Sequence, residues 1–268
     1  MSDTKASTEK APPKTEAELD PVHIRIRELK KGYDDTPVLR GVTLDIERGF
    51  INVIIGGSGA GKSVLTRQLL RLEKPDSGEI VVDGTDIAML DDWKLVPIRK
   101  KFGMVFQFGA LFDSMSVFDN VAFPLREHTK MNRSEVHDRV MARLATLNVA
   151  HAAHKLPAQI SGGMQKRVAI ARALVLEPEI LVYDEPTSGL DPVSSRIVDD
   201  LISETAASFG VTSVVITHDM ASVFKIGHRV NMLYKGLIEA SCTPDEILRS
   251  QNPIVIDFLT ASGVKMKQ

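Results

Sequence analysis

The spacing of apolar residues along the chain predicts an α/β protein. Residues 22–26 and 38–46 alternate between apolar and polar positions, which is typical of antiparallel strands. Turn residues at 34–35 and 48–49 would connect these strands to their neighbours. Largely apolar runs, which are typical of strands buried on both faces, occupy 51–55, 102–106, 180–183 and 214–217.

Helical periodicity dominates the middle of the chain, from about residue 117 to residue 175. Ser134 is predicted to cap a helix over 135–147, and a helix over 192–209 is expected to end at Gly210. The remaining predicted elements are a closing hairpin and two short helices, at 230–240, 244–248 and 254–259. The pattern therefore predicts an α/β core with an inserted helical block.

The composition limits the classes of protein that are compatible with the chain. Its 268 residues carry a net charge of −2, which gives no electrostatic reason to expect a nucleic-acid partner. The one cysteine, Cys242, excludes an internal disulfide framework and a zinc site built from cysteines. No window approaches the roughly 20 apolar residues of a membrane span, so we expect a cytosolic chain. Residues 1–20 offer almost nothing to bury and are predicted to form a disordered tail.

A glycine-rich stretch predicts a nucleotide site. It lies between the apolar run 51–55 and a helical pattern over 64–72, which is the strand, loop and helix order of a phosphate-binding P-loop. Its glycines let backbone N–H groups point inward, and the helix dipole favours an anion at the same point. Lys62 would reach the β- and γ-phosphates, and the Ser63 hydroxyl would ligate Mg²⁺. The stretch comprises Gly56, Gly57, Ser58, Gly59, Ala60, Gly61, Lys62 and Ser63.

Two carboxylates follow the apolar run 180–183. In a P-loop ATPase, an acidic residue at such a strand end holds Mg²⁺ through water, and Asp184 fits that position. Glu185 would lie one residue closer to the γ-phosphate, where it could orient and polarise the attacking water.

A third stretch, Ser161, Gly162 and Gly163, opens another predicted helix. Ser161 is a natural N-cap, and the two glycines allow close approach of the backbone to an anion. This helix cannot reach phosphates that the P-loop of the same chain already surrounds. A head-to-tail dimer, in which it contacts the nucleotide of the opposite subunit, is therefore expected.

Taken in order, these motifs resemble the motif series of ABC transporter ATPases. The series consists of residues 56–63, 107, 160–163, 184–185, 188–191 and 218, and it extends over about 22–240. The resemblance implies a P-loop NTPase fold, an ABC-type nucleotide-binding domain over 21–242 with an antiparallel β-subdomain. It also implies a helical subdomain inserted at about 110–176, followed by a C-terminal helical extension over 243–268.

The resemblance also assigns roles to single residues. Tyr33 would stack on adenine, and Gln107 would contact Mg²⁺ and the attacking water. His218 would hold the γ-phosphate. The implied catalytic set is then Glu185, His218, Lys62 and Gln107, with ATP and Mg²⁺ as the bound groups.

At the dimer interface, the resemblance implies contacts by Ser161, Gly163 and Asp191. The chain departs from the family at two positions. Val64, which is counted among the nucleotide-binding residues, stands where the family often has threonine, and Met164 replaces the usual glutamine after Ser-Gly-Gly. Neither change removes a group that the chemistry requires.

Phenylalanines are concentrated around Gln107, and Phe106, Phe108 and Phe112 are predicted to line a groove for a permease helix. The amino-acid sequence of 106–115 and of 160–164 resembles that of one subfamily, the lipid-trafficking ATPases of the maintenance-of-lipid-asymmetry and toluene-tolerance systems. That likeness implies a homodimer on the cytoplasmic face of the bacterial inner membrane, bound to a permease dimer. A periplasmic lipid-binding subunit of the MCE type and, in some members, a small STAS-domain subunit would complete the complex.

Other classes with related motifs fit less well. A chromosome-maintenance ATPase would need a long heptad insertion between Gln107 and Ser161, and a translation-factor ATPase would carry two cassettes. A GTPase would need an Asn-Lys-x-Asp segment, and a scaffold cassette would usually lack Glu185 or His218. An ABC ATPase importing a polar solute such as an amino acid stays open, because the core motifs do not encode the substrate.

Overall fold

Two β-sheets organise the part of the chain that the computed structural model describes, residues 20–106 and 109–267. The predicted tail up to residue 19, together with Gln107 and Phe108, lies outside the described residues. The strands are β1 (Val22–Tyr33), β2 (Thr36–Glu47), β3 (Ile51–Ile55), β4 (Ser77–Val82), β5 (Thr85–Asp86), β6 (Phe102–Val105), β7 (Ile180–Asp184), β8 (Thr212–Ile216), β9 (Arg229–Tyr234) and β10 (Leu237–Cys242).

The two sheets differ in strand direction. One is antiparallel, with the order β2-β1-β4-β5. The other has the order β10-β9-β3-β8-β7-β6, and all of its pairs are parallel except β10 with β9. Strand β3 lies in the middle and is buried at every residue, as its largely apolar sequence predicts. Asn52, its one polar residue, is buried as well.

Helices cover the parallel sheet and form a separate layer beside it. They are α1 (Lys62–Leu69), α2 (Asp92–Arg99), α3 (Val117–His128), α4 (Arg133–Thr146), α5 (Gly162–Leu174), α6 (Pro192–Phe209), α7 (Met220–Ile226), α8 (Pro244–Ile247) and α9 (Pro253–Ala261). Helices α3, α4 and α5 pack on one another between β6 and β7 in the sequence. Within the described residues, none of these helices combines the length and the hydrophobicity needed to span a bilayer.

Helix α4 begins earlier than the sequence pattern predicted. Its N-cap is Asn132 and not Ser134, because the Asn132 side chain accepts hydrogen bonds from Ser134 N and Glu135 N at 2.9 and 3.1 Å. The Glu135 carboxylate in turn accepts from Asn132 N at 2.6 Å, which completes a capping box. Ser134 therefore lies in the first turn of the helix.

The parallel sheet separates two hydrophobic cores. Alternate residues of β3 point to opposite faces, so Ile51, Val53 and Ile55 join a core shared with the helical layer. Ile54 joins the other core, which lies between the two sheets and includes Leu65 of α1. The P-loop strand is therefore fixed from both faces.

A network of charged side chains joins the two sheets at the end remote from the P-loop. Asp83 accepts hydrogen bonds from Arg48 and from Lys101, and the Nε2 atom of His23 lies 3.5 Å from both Asp83 and Glu179. Burial opposes the charged form of His23, but these carboxylates outweigh it and raise the pKa of His23 above 6.5. Burial likewise disfavours the Asp83 carboxylate, yet His23, Lys101 and Arg48 together hold the pKa of Asp83 below its usual range.

This network predicts a pH-dependent stability. Because the pKa of His23 is raised on folding, its contribution is complete below pH about 6.5 and is lost as the pH rises through the folded value. Asp83→Asn should remove most of this dependence above pH about 6 and cost about 2–4 kcal/mol, since it leaves the partly buried Arg48 and Lys101 with only the more exposed carboxylate of Glu179. Urea denaturation from pH 5 to pH 9 measures both effects. Asp45→Asn, at a more exposed pair with Arg27, is the control and should cost below about 1 kcal/mol; equal losses would contradict the prediction.

Candidate functional site

The loop after β3 is shaped by two glycines. A Cβ at Gly56 would collide with the carbonyl oxygen of Leu233, so no larger residue fits there without a shift of the backbone. Gly61 is the N-cap of α1 and has a φ of 107°, a conformation that side chains strongly disfavour. The helix therefore begins directly at Lys62, and its unpaired N–H groups face the loop.

Lys62 lies over this loop. Its ammonium group donates to the carbonyl oxygens of Gly56 at 2.7 Å and of Gly57 at 3.2 Å. Ser63 is exposed, as a hydroxyl that is to bind a ligand must be. Val64 is only 8% exposed and belongs to the core, so it can offer a ligand its backbone N–H but not its side chain.

Strand register brings the predicted carboxylates to the same edge of the sheet. Ile216 of β8 pairs with Asp184 of β7 on one side and with Ile54 of β3 on the other. The residues that follow these strands, Glu185 and His218 among them, therefore emerge beside the loop. His218 Nδ1 lies 2.8 Å from a carboxylate oxygen of Glu185. An ionised carboxylate only accepts, so this nitrogen carries the proton.

Glu185 adopts an unusual backbone conformation, with a φ of 48°. Its N–H donates to the carbonyl oxygen of Ile216 at 2.8 Å, which ties the β7 exit to β8 and maintains that conformation. Non-glycine residues are uncommon in this region, and sites that store backbone strain are often functional. The strain places the Glu185 carboxylate at His218.

Asp184 has the character of a cation ligand. Burial raises the pKa of its carboxyl group, the nearby Glu185 charge raises it further, and Lys62 opposes both. A divalent cation would relieve this electrostatic cost. Together with the exposed hydroxyl of Ser63, Asp184 offers oxygen donors, which Mg²⁺ prefers, so the residues fit that ion.

A cavity of about 920 Å³ brings together part of the predicted set, whereas Ser63 and Asp184 are absent from its described lining. Lys62, Glu185 and His218 line it together with Gly56, Gly57 and Ser58. Phe258 and Ser262 of the C-terminal segment also line it, and the sequence pattern gave no sign of this.

The stretch 161–163 lies elsewhere. Ser161 caps α5 by accepting from Met164 N at 3.3 Å, and Gly162 and Gly163 are exposed. These residues line a second cavity, of about 530 Å³, and they are absent from the described lining of the cavity at Lys62. Within one chain, the stretch 161–163 and the loop at Lys62 therefore line separate cavities.

Comparison with known proteins identifies the family. The ABC transporter family matches residues 39–188. The chain is 41% identical, over 91% of its length and 70% of the relative's, to the "Probable ribonucleotide transport ATP-binding protein mkl" of Mycobacterium leprae. It is 40% identical, over 83% of its length and 82% of the relative's, to the "Intermembrane phospholipid transport system ATP-binding protein MlaF" of Escherichia coli K12. The chain belongs to the ABC transporter family.

Solved structures agree and confirm the predicted fold class. The ATP-binding cassette MJ0796, solved as a dimer bound to ADP and Pi, is 33% identical and has a TM-score of 0.72, with 82% of this chain and 98% of that chain covered. The protein cbiO1 from Clostridium perfringens, part of the ABC transporter complex cbiONQ, is 32% identical, with a TM-score of 0.79 and coverage of 90% and 96%. The protein is therefore an ATP-binding subunit of an ABC transporter, whose ATPase activity drives transport.

Tyr33 lies apart from the other nucleotide residues predicted for this ABC ATPase. It is 38% exposed at the end of β1, donates its hydroxyl to Glu73 and accepts from Arg67 at 3.2 Å. It is absent from the described lining of the Lys62 cavity. Its stacking on adenine stays a prediction.

Asp191 and Gln165 make contacts within their own chain. Asp191 caps α6 by accepting from Val193 N and Ser194 N at 2.9 and 3.0 Å, and the hydroxyl of Ser194 holds the pKa of Asp191 below its ordinary value. Gln165, which follows Met164, donates to the carbonyl oxygen of Pro157 at 2.9 Å.

The predicted aromatic groove lies at β6, the edge strand of the parallel sheet. Phe106 and Phe112 are 45% and 42% exposed and line a cavity of about 530 Å³ with residues of α2, α3 and α5. The rings of Phe112 and Phe123 pack with centroids 5.2 Å apart. Gln107 and Phe108, which were assigned to the same region, lie outside the described residues.

Asp219, which sequence reasoning missed, anchors the segment that carries His218. One of its carboxylate oxygens caps α7 by accepting from Ala221 N and Ser222 N at 3.0 and 3.4 Å. The other accepts from the Ser222 hydroxyl at 3.1 Å and from Thr187 at 3.4 Å, which links the loop after Glu185 to the loop after β8. The signal in the sequence was an aspartate at the N-cap position of a seven-residue helix.

We expect Asp219→Ala to impair turnover more than folding. The lost cap should cost about 1 kcal/mol of stability. A displaced His218 should lower the rate of ATP hydrolysis about ten-fold or more, with little change in ATP affinity. Asn132→Ala, which removes a similar N-cap in the remote helix α4, is the matched control. If both variants lose the same small fraction of turnover at similar stability, Asp219 has no positioning role.

Proposed function

We propose that this protein is the ATPase of a bacterial inner-membrane transporter that moves phospholipids between the membrane and a periplasmic carrier. The convergence of Lys62, Glu185 and His218 on one cavity is the observation that carries the ATPase mechanism. The phospholipid assignment is supported by the MlaF relative and by the resemblance of the sequence at 106–115 and 160–164 to the lipid-trafficking subfamily. The mkl relative has a similar identity and a name that specifies ribonucleotides, so identity alone does not select the substrate.

The phosphates of ATP would bind at the loop 56–63. Its backbone N–H groups and the N-terminus of α1 supply donors, and the Lys62 ammonium would exchange its bonds to Gly56 and Gly57 for the β- and γ-phosphates. Ser63 and Asp184 would hold Mg²⁺, with Gln107 as a further predicted ligand. When bound, this ion neutralises charge that develops on the phosphates.

Hydrolysis would depend on Glu185 and His218. The Glu185 carboxylate orients and polarises the attacking water, and its hydrogen bond to His218 Nδ1 holds it in position. His218 and Lys62 face the γ-phosphate and stabilise the charge of the transition state. Catalysis is then mostly positioning and charge stabilisation.

A second copy of the chain would complete each site. Ser161 and Gly163 open α5 outside the Lys62 cavity of their own chain, so they would contact the γ-phosphate held by the other subunit. Asp191, which caps α6 and bonds Ser194 of the same cavity, would connect the two sites. The dimeric structures of the cassette MJ0796 support a dimer. In the proposed cycle, ATP would close this dimer and hydrolysis would lead to its reopening.

The permease would dock at the aromatic groove on the cytoplasmic face of the inner membrane. Exposed Phe106 and Phe112 offer large apolar contacts to a short helix, and Phe108 is predicted to join them. Through the permease dimer, the ATPase would be coupled to a periplasmic MCE-type lipid-binding subunit. A small STAS-domain subunit is a further proposed partner.

Affinity purification of the tagged protein from detergent-solubilised native membranes tests the substrate assignment. Mass spectrometry of the co-purified proteins and lipids should recover a permease, a periplasmic lipid-binding subunit and bound phospholipid. A permease together with a receptor for a polar solute, and no lipid, would favour the importer alternative and overturn the phospholipid assignment.

We expect Glu185→Gln to separate binding from hydrolysis. The amide keeps the shape of the side chain but cannot act as the base, so turnover should fall about 10²- to 10⁴-fold. ATP binding should persist, and the protein should accumulate as an ATP-dependent dimer in size-exclusion chromatography. Glu204→Gln, at an exposed position of α6, is the control and should hydrolyse ATP normally. A Glu185→Gln protein with normal turnover would remove Glu185 from the proposed role.

A further inference from the structure

Arg172, near the C-terminal end of α5, fastens the segment that follows the docking phenylalanine Phe106. Its guanidinium group donates to the carbonyl oxygen of Ala110 at 2.7 Å and to that of Gly109 at 2.8 Å. The same group lies 6.0 Å from the centroid of the Phe112 ring. Burial lowers the pKa of Arg172, and two carbonyl dipoles compensate its charge.

The segment is packed on α5 as well as bonded to it. Gly109 has a φ of 74°, and a Cβ built there would meet the Cβ of Ala169 at 3.4 Å. Strand β6, which leads into the segment, is equally close: a Cβ at Gly103 would lie 2.7 Å from the carbonyl oxygen of Ala173. The last turns of α5 therefore contact the chain both before and after Phe106.

A buried asparagine holds the other end of the segment. Asn120 of α3 is fully buried, and its side chain accepts from Phe112 N at 2.8 Å and donates to the carbonyl oxygen of Phe112 at 3.1 Å. It also donates to the carbonyl oxygens of Met115 and Ser116. The backbone from 109 to 116 is thus bonded to two helices of the helical layer by two side chains, Arg172 and Asn120.

The opposite end of α5 carries Ser161 and Gly163. At 1.5 Å per residue, Gly163 and Arg172 are separated by about 14 Å along one uninterrupted helix. We propose that Arg172 is a positioning residue that fastens the segment 109–112 to α5, so that this segment and the stretch 161–163 move as one unit. The aromatic groove would then be mechanically linked to the stretch that contacts the nucleotide of the opposite subunit.

The side-chain chemistry explains why this position requires arginine. The planar guanidinium presents parallel donors to two neighbouring carbonyl groups, whereas a lysine ammonium is a point charge on a flexible stem. Lys at 172 could bond one carbonyl at a time and would retain part of the connection. Gln at 172 would lose the charge, the fork and most of the contact with Phe112.

The inference depends on the proposed dimer mechanism, so its test uses the full-length Glu185→Gln protein, in which ATP should hold the dimer closed. Hydrogen–deuterium exchange is measured with and without ATP on peptides that cover 109–115 and 161–168. In the Glu185→Gln protein, in which Arg172 is unchanged, ATP should slow exchange in both peptides. With Arg172→Gln added, ATP should slow exchange only in 161–168, and exchange in 109–115 should be about ten-fold faster than before. Arg172→Lys should give an intermediate result.

Arg139→Gln is the matched control, because Arg139 lies on α4 of the same layer and bonds Glu177 at 2.9 Å. It should leave the ATP response of both peptides intact. Persistence of the full response at 109–115 in Arg172→Gln, or its equal loss in Arg139→Gln, would overturn the inference. Size-exclusion chromatography separates this result from a failure of the proposed function: without an ATP-dependent dimer, the dimer mechanism itself is wrong and the inference falls with it.

Discussion

Strand β3 is buried at every residue and pairs in parallel with β8 on one side and with β9 on the other. Where the chain leaves the end of β3, it passes between these two neighbouring strands and close to the carbonyl oxygen of Leu233. Only glycine fits at position 56 for this reason. The turn delivers the N-terminus of α1 to the edge of the sheet, and an apolar core on each face fixes the strand behind it. The shape of the loop 56–61 is thus a consequence of how tightly the centre of the sheet is packed.

The rest of the site follows from parallel pairing. Register places the ends of β7 and β8 level with the end of β3, so the residues after them arrive at the loop without any long-range adjustment. What the register does not fix is the direction of the side chains. Two local features set the direction of these side chains. The left-handed backbone of Glu185 turns the chain, and the Asp219 carboxylate joins the loop after Glu185 to the loop after β8. Strand order brings the groups together, and local strain and capping orient them.

Sequence patterns predicted the elements that are long or strongly periodic, including β3 and the helix from Pro192 to Phe209, which ends at Gly210 as expected. They missed α2, because its internal Pro97 is a residue that usually interrupts helices. They also placed the N-cap of α4 at Ser134, whereas the capping box begins two residues earlier, at Asn132. The motif residues could be named from the sequence because each follows a recognisable strand or cap. Contacts between distant segments, such as the Arg172 bonds, depend on packing that no local pattern encodes.

In the proposed cycle, the division of the site between two chains is what allows ATP to do mechanical work. A ligand shifts a conformational equilibrium only by its difference in affinity for the two states. If one chain held all the contacts to the γ-phosphate, ATP would bind the open and closed dimers equally well and would shift nothing. Because Ser161 and Gly163 lie outside the cavity at Lys62 of their own chain, ATP would gain their contacts only when the dimer closes. Hydrolysis would break the bond between the γ-phosphate and the rest of the nucleotide. The ligand that connects the two chains would then be divided, and reopening of the dimer would become favourable.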